Sequence, residues 1–581
     1  MIQHQSPISG IDSFQDKYIA TAGYDNRVIL WDQKTKMSLA RGYHDHLANS
    51  CKFSNCGTLL VSAGSDHLAR LWEVPSMKLL AVFYDHKDDV EKIVVSSDGK
   101  HVATASRDNI VRLFASDGRL IRRYIGHEMD VISVAFSENG KELISCGDDG
   151  TIRIWDIDTG IEKNKLEFGD IETDTICIKN GVIYAGNDEG TISVIINQEV
   201  AFNISVHKAG IKNITYDEQS DMVLSCSYDY NVMLWRPDEK EGLVLIEKIE
   251  CPLEVWLRAS VIVNANTLAF GTFGNTYCNY YRDTKTWDLS TVNPTFGVNA
   301  VSVFNNQIVT IGDEGAIYLD GKKQVELGSL CNFLLLFDTF VLTGGQAGII
   351  FNALTGEVIY KHHSPLNCGT SFKKEGRKMA VIGTYTGEGV VLEIRNGAVL
   401  FVEEIELHNN AIKGLASNDK ILFSVCATSA CAFFDLADFR VISRNLNAHD
   451  KIANGASVSR NGTFVSVSRD LKLRIWNTET FTSEVIETPH NHSLKCVAVG
   501  GKYDNLVGIG SYHGNTSIYN LKTKKWVWLK RFSTSGISSV YYDRGKEMFL
   551  FSSYDGKVYQ LATKEFESPV MTLDSLENVA V

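Results

Sequence analysis

An acidic residue set in a tight turn between two apolar strands recurs about every 41 residues, and this repeat constrains the chain more than any other feature. The segments ATAGYDNRVILWD (20–32), VSAGSDHLARLWE (61–73), ISCGDDGTIRIWD (144–156) and LSCSYDYNVMLWR (224–236) each read as strand, turn and strand. Asp25, Asp66, Asp108, Asp149, Asp188 and Asp229 follow one another by 41, 42, 41, 39 and 41 residues. The phase runs on through Asp313 and Asp470 to Asp555, so 530 residues hold thirteen steps of 40.8 and the 581-residue chain holds fourteen repeats. A repeat this short cannot bury an apolar face alone, so stacked neighbours must bury it for one another.

Composition agrees with many short strands joined by tight turns: 46 Gly beside 8 Pro, with 22 Tyr, 27 Phe and 9 Trp. Hydrophobic residues at 44% and charged residues at 22% are ordinary for a globular chain and exclude disorder as its main state. No apolar run approaches the ~18 residues of a membrane span, and MIQHQSPISG lacks the pattern of a secretory leader. A cytoplasmic protein without membrane contact is expected. The twelve cysteines form no CxxC pair; Cys51/Cys56 and Cys426/Cys431 match no zinc spacing, so these side chains are expected as small buried residues.

A second pattern is phased to the first. His127, Ser145, Asp149 and Trp155 are separated by 18, 4 and 6 residues, as are His44, Ser62, Asp66, Trp72 and His207, Ser225, Asp229, Trp235. His86, Thr104, Asp108 and Phe114 keep the spacing with Phe in place of Trp. His4, Thr21, Asp25, Trp31 and His449, Ser466, Asp470, Trp476 shorten the first interval to 17.

With Gly126–His127 and the pairs Trp31–Asp32 and Trp155–Asp156, these residues resemble the WD40 repeat family. The resemblance implies a four-stranded propeller blade per repeat, with the His, Ser/Thr, Asp and Trp side chains as a buried hydrogen-bond chain. It is clear in repeats 1–4, 6 and 12 and faint elsewhere: Gly274 replaces the acid in repeat 7, the segments 343–352 and 383–393 lose the network, and His513 stands at the turn of repeat 13. A propeller closes with ~4–8 blades, so the expected architecture is all-β, with two seven-bladed propellers in tandem. They are expected at residues 1–288 and 289–581, joined within the polar stretch 281–297 around Pro294 and packed closely, since no flexible linker separates them. Length and two-ring layout are similar to those of actin-interacting protein 1, without a motif specific to it.

Ser, His and Asp recurring together suggest nucleophilic catalysis, but an enzyme needs one such site, whereas every blade needs its own network. No phosphate-binding loop, GxSxG or HExxH motif occurs. No catalytic residue, cofactor or metal ligand is therefore assigned. The paired imidazoles His362/His363 and His490/His492 read first as degenerate blade histidines, with metal the competing reading, and His513 as a turn residue or the lining of a mouth. The run 521–531 interleaves Lys522, Lys524, Lys525, Lys530 and Arg531 with Trp526 and Trp528. A net charge of −13 (57 basic against 70 acidic residues) speaks against nucleic acid, leaving an outer strand with both tryptophans on its inner face and lysines guarding the edge.

In the WD40 family the residue just before the turn acid lies on the face where partners dock. Here that position holds Tyr24, Arg107, Asp148, Tyr228, Phe273, Arg469, Tyr512 and Tyr554. Aromatic residues and Arg are the side chains that dominate binding hot spots, so these eight are the expected partner-binding residues. The expectation is a non-catalytic scaffold or adaptor for protein partners. The alternative is a propeller that binds or acts on a small molecule through the histidines of its degenerate half, by class analogy with tandem WD-repeat proteins of bacterial azapteridine-toxin operons.

Overall fold

Each repeat folds as an antiparallel meander, because its apolar runs are separated by turns whose residues accept left-handed backbone. In the first repeat the strands are Ile8–Phe14, Tyr18–Gly23, Arg27–Asp32 and Ser38–Tyr43. Asn26 makes the central turn at φ 69°, a conformation Asn tolerates better than most residues. The second and third strands are almost wholly buried, while the fourth alternates between at least half-buried and exposed positions, as an edge strand should.

The computed structural model describes residues 2–169 and 171–566. Among them the chain is all-β: thirteen four-stranded sheets and one three-stranded sheet, followed by a single 3₁₀ turn at Lys564–Phe566. No helix among the described residues is long and apolar enough to cross a membrane.

The chain divides into two compact units, Met1–Thr295 and Phe296–Val581. The division falls beyond the expected residue 288, which ends the outer strand Thr286–Asp288. Leu289 and Val292 still pack on the core of unit 1, and Thr295 Oγ1 donates to Phe273 O at 3.2 Å. In unit 1 the inner strands starting at Ile8, Ala48, Val90, Val131, Thr173, Ile211 and Val255 pack each on the next, and the last packs on the first. Unit 2 closes the same cycle from Val298 through Cys331, Leu366, Ile412, Ala453 and Leu494 to Ile537. Adjacent inner strands run close: a Cβ on Gly10 would lie 2.8 Å from Ser50 Cα.

Among the described residues every sheet is built from consecutive strands, and none takes a strand from a distant part of the chain. Unit 1 closes by packing Ile8, Ile11, Ile19, Ile29 and Trp31 against Ala259, Val261, Val263, Ala269 and Tyr277. Unit 2 closes through Ser538 Oγ donating to Val298 O at 2.5 Å. Each unit thus holds its own complete core. Cleavage between Thr295 and Phe296 is expected to leave two halves that purify separately and each melt cooperatively; a half that is soluble only with the other present contradicts this.

The strand Lys525–Arg531 differs from expectation. A bulge lies between the pairs Ile518↔Trp528 and Tyr519↔Trp526. It sends Trp526 into the cluster with Val507 and Tyr519, and Trp528 into the cluster with Ile518 and Phe551, so the two indoles pack on opposite faces of the sheet. Of the twelve cysteines only Cys56 is exposed.

Candidate functional site

Five of the six phased sets come together through hydrogen bonds in the fold. In the fourth sheet His127 Nε2 lies 2.8 Å from Ser145 Oγ, Nδ1 lies 2.9 Å from Asp149 Oδ2, and Trp155 Nε1 donates to Ser145 Oγ at 2.9 Å. Since the indole can only donate and the carboxylate only accept, the chain has one polarity: Trp N–H to Ser, Ser O–H to His Nε2, His Nδ1–H to Asp. The same contacts link His4, Thr21, Asp25 and Trp31; His44, Ser62, Asp66 and Trp72; His207, Ser225, Asp229 and Trp235; and His449, Ser466, Asp470 and Trp476. In the third sheet His86 reaches Thr104 at 2.8 Å and Phe114 packs beside it, but Asp108 turns to Arg112, whose Nη1 donates at 2.8 Å. The hydroxyl of every set belongs to a residue that is 0% exposed, so no substrate reaches it and the sets hold strands together.

A seventh, partial set escaped the sequence pattern. His408 Nε2 lies 2.6 Å from Ser424 Oγ with Phe434 edge-on to the imidazole, at an interval of 16 and without the acid. His490 instead reaches forward to Ser517 Oγ at 2.8 Å. Burial lowers the pKa of His408 to about 3 and of His490 to about 4. A histidine whose folded pKa is depressed is neutral in the fold and charges on unfolding, so stability is lost as pH falls from about 6.5 toward 4. Each of these two is expected to cost unit 2 about 2 kcal/mol between pH 7.5 and pH 5, read by melting at both pH values; His408→Asn should flatten the dependence.

A second constellation runs along one rim of each ring. The backbone N–H of the pre-turn residue donates to a carbonyl just ahead of its sheet's inner strand: Tyr24 to Pro7, Arg107 to Asp89, Asp148 to Asp130, Tyr228 to Gly210, Phe273 to Glu254, Arg469 to Ile452, Tyr512 to Ser493 and Tyr554 to Gly536. Asp188 to Glu172 and Asp313 to Gly297 belong to this series, which corrects their reading as turn acids; Glu189 and Glu314 follow them at the turn.

Opposite the pre-turn residue, most inner strands carry a one-residue bulge, and in many sheets the bulged side chain crosses to the next inner strand. Asn49 Nδ2 donates to Val90 O, Asn299 to Cys331 O, Asn332 to Leu366 O, Asn367 to Ile412 O and Asn454 to Leu494 O, at 2.7–3.1 Å. Ser9 and Ser538 do the same through their hydroxyls. These bonds latch each sheet to its neighbour. The latch residue is replaced by Glu91, Ile132, Asp174 and Lys212 in unit 1, and by Lys413 and Lys495 in unit 2.

Charge gathers where the latch is missing. In unit 1 Arg107, 7% exposed, donates Nε to Glu91 at 2.5 Å and Nη1 to Asp130 at 2.7 Å, and Glu91 also pairs with Arg258. Lys212 pairs with Asp174 and Asp188 and stands 5.4 Å over Tyr228. Burial, only partly offset by Lys212, raises Asp174 to about 6, and burial together with Asp130 pushes Asp148 well above the usual carboxylate range. Tyr24 meets Trp256 edge-on at 5.1 Å, and Trp256 stacks on Phe273 at 5.4 Å. Arg107 and Phe273 are buried and bind the rim from within, unlike the docking surface expected of them; the other six are half-buried.

The rim of unit 2 is cationic and aromatic. Lys413 stands 4.4 Å over Tyr385, while Arg469 and Lys495 stand 5.5 and 5.6 Å over Tyr512. Burial opposes ionisation of Tyr512, but Lys495 and Arg469 prevail and hold its phenol below the usual value. Elsewhere, His492 and His513 lie ring to ring at 4.1 Å.

Six segments of the chain, residues 1–32, 38–73, 77–114, 118–156, 198–236 and 440–477, match the WD40 family (WD domain, G-beta repeat). Similar proteins include the U4/U6 small nuclear ribonucleoprotein PRP4-like protein of Arabidopsis thaliana, 34% identical over 106 residues, which are 16% of this chain and 19% of that protein. Autophagy-related protein 16 of the same plant is 29% identical over 122 residues, 19% of this chain and 22% of its own length. Nuclear distribution protein nudF of Aspergillus niger is 32% identical over 136 residues, 19% of this chain and 30% of its own length. The chain thus spans under a third of each of these relatives.

Proposed function

We propose that this WD40-repeat chain is a non-catalytic scaffold or adaptor that binds protein partners on the rims where the pre-turn residues gather. The observation that carries the reading is the exchange of the amide latch for Lys413 and Lys495 beside Tyr385, Arg469, Tyr512 and Tyr554. An amide latch serves the ring, whereas a lysine in its place puts a cation among aromatic rings. Such mixtures of aromatic surface and cation form hot spots, since they bury large area at low rotamer cost and keep a polar handle. Relatives whose names place them in a ribonucleoprotein and in nuclear distribution support a role in assemblies.

The test is affinity capture with the tagged chain, comparing wild type, the rim variant Lys413→Gln/Lys495→Gln, and an outer-strand variant Lys525→Gln/Lys530→Gln with the same change of charge. Wild type and the outer-strand variant are expected to retain a common partner that the rim variant loses at least about tenfold, with all three melting alike. Retention of every partner by the rim variant overturns the reading.

A further inference from the structure

We propose that His362, His363 and Glu388 hold a divalent transition-metal ion of the zinc type on unit 2. One ligand atom from each lies within 4.8 Å of the others. Two imidazoles and a carboxylate are the donor set that such ions favour over calcium or magnesium.

The site arises from the decay of a blade network. His362 follows the strand Val358–Lys361 and occupies the blade-histidine position: its N–H donates to Gly348 O at 2.8 Å, as that of His44 does to Asn26 O at 2.8 Å. In the intact sheets Nε2 of this histidine meets a Ser or Thr three residues before the pre-turn position, and Nδ1 meets the turn acid. Counting from Tyr385, those two positions hold Ile382 and Thr386. His362 is buried, its side chain 0% exposed, and its Nε2 has no hydrogen bond. A metal ion is a group that would use this nitrogen once its proton has moved to Nδ1.

The surroundings fit a ligand role. Nδ1 accepts from the Ser364 N–H at 3.1 Å and lies 3.3 Å from Ser364 O, so a metal ion at Nε2 would move the ring proton to Nδ1, where that carbonyl accepts it. The rings of His362 and His363 are 4.1 Å apart, and Glu404 Oε1, held by Tyr360 Oη at 2.8 Å, lies 3.5 Å from Nε2. Glu388 opens the strand Glu388–Arg395 and accepts from Thr384 Oγ1 at 2.8 Å and from Thr386 Oγ1. The carboxylates of Asp148, Glu172 and Asp174 in unit 1 form a similar cluster, but the ammonium of Lys212 already pairs with Asp174 there.

The experiment uses the full chain, stripped with a chelator and titrated with Zn²⁺ by calorimetry and with Co²⁺ by visible absorption. Wild type is expected to take up one equivalent with micromolar or tighter affinity, to show the d–d bands of a four-coordinate Co²⁺ site, and to melt at a higher temperature when loaded. His363→Ala, at an exposed position, and Glu388→Gln should weaken uptake at least about tenfold while leaving the metal-free melting temperature unchanged. His492→Ala should bind as wild type does. Uptake below about one fifth of an equivalent, or equal uptake by the His363→Ala and wild-type chains, overturns the proposal. Partner capture is scored separately, since docking on the rim does not depend on this site.

Discussion

Replacing Arg107 with methionine is expected to destabilise unit 1 by about 3–5 kcal/mol, the cost of breaking a buried ion pair by removing one member. The guanidinium forks between Glu91 and Asp130, residues only 5% and 6% exposed, and reaches Asp148 at 4.0 Å. Its removal leaves a carboxylate-rich rim that includes Glu172, Asp174 and Asp188, with Arg258 and Lys212 still in place. Burial already opposes charge on Asp148, so proton uptake by these carboxylates is the accessible relief. The loss should therefore be larger at pH 8 than at pH 5. The measurement is thermal or urea unfolding of residues 1–295 at the two pH values. A change under about 0.5 kcal/mol would mean that Arg107 is a solvated surface residue, as its place in the sequence pattern suggested.

The second large effect is expected at Ser145. Its hydroxyl accepts from Trp155 and donates to His127, so Ser145→Ala orphans two buried groups at once, at about 1–3 kcal/mol each. Thr104→Val, in the sheet where Phe114 takes the Trp position, orphans only His86 and should cost roughly half as much. Both sites lie in unit 1, so denaturant titration of a single background decides the comparison. Equal losses would show that the indole N–H contributes nothing to the network.

The periodicity made the fold legible because the spacing within one sheet is set by strand and turn geometry, which hardly varies between His127–Ser145–Asp149–Trp155 and its copies. What lies between sheets was harder to read. The bulge residue and the pre-turn residue are separated by the inner hairpin, whose length differs from 14 residues (Asn299 to Asp313) to 18 (Asn367 to Tyr385), so the row of latching asparagines has no fixed interval in the chain. Asp188 and Asp313 imitated turn acids because a carboxylate one position early satisfies the same pattern. His408 and Ser424 were missed for want of a Trp, an acid and the usual spacing. Trp526 and Trp528 parted company because one bulged residue reverses the facing of a strand. Arg107 read as a hot spot because exposure is not written in a turn position; the acids that bury it are Glu91, on its own sheet's inner strand, and Asp130, just ahead of the next one.

The measurement that bears most directly on the account is hydrogen–deuterium exchange of the full chain, alone and with a captured protein partner. Docking on the rim predicts new protection confined to the pre-turn and bulge segments, in unit 2 around Tyr385, Lys413, Arg469, Lys495, Tyr512 and Tyr554, with the outer strands unchanged. Protection concentrated instead on outer strands such as Lys525–Arg531, with the rim segments exchanging as in the free chain, would contradict it.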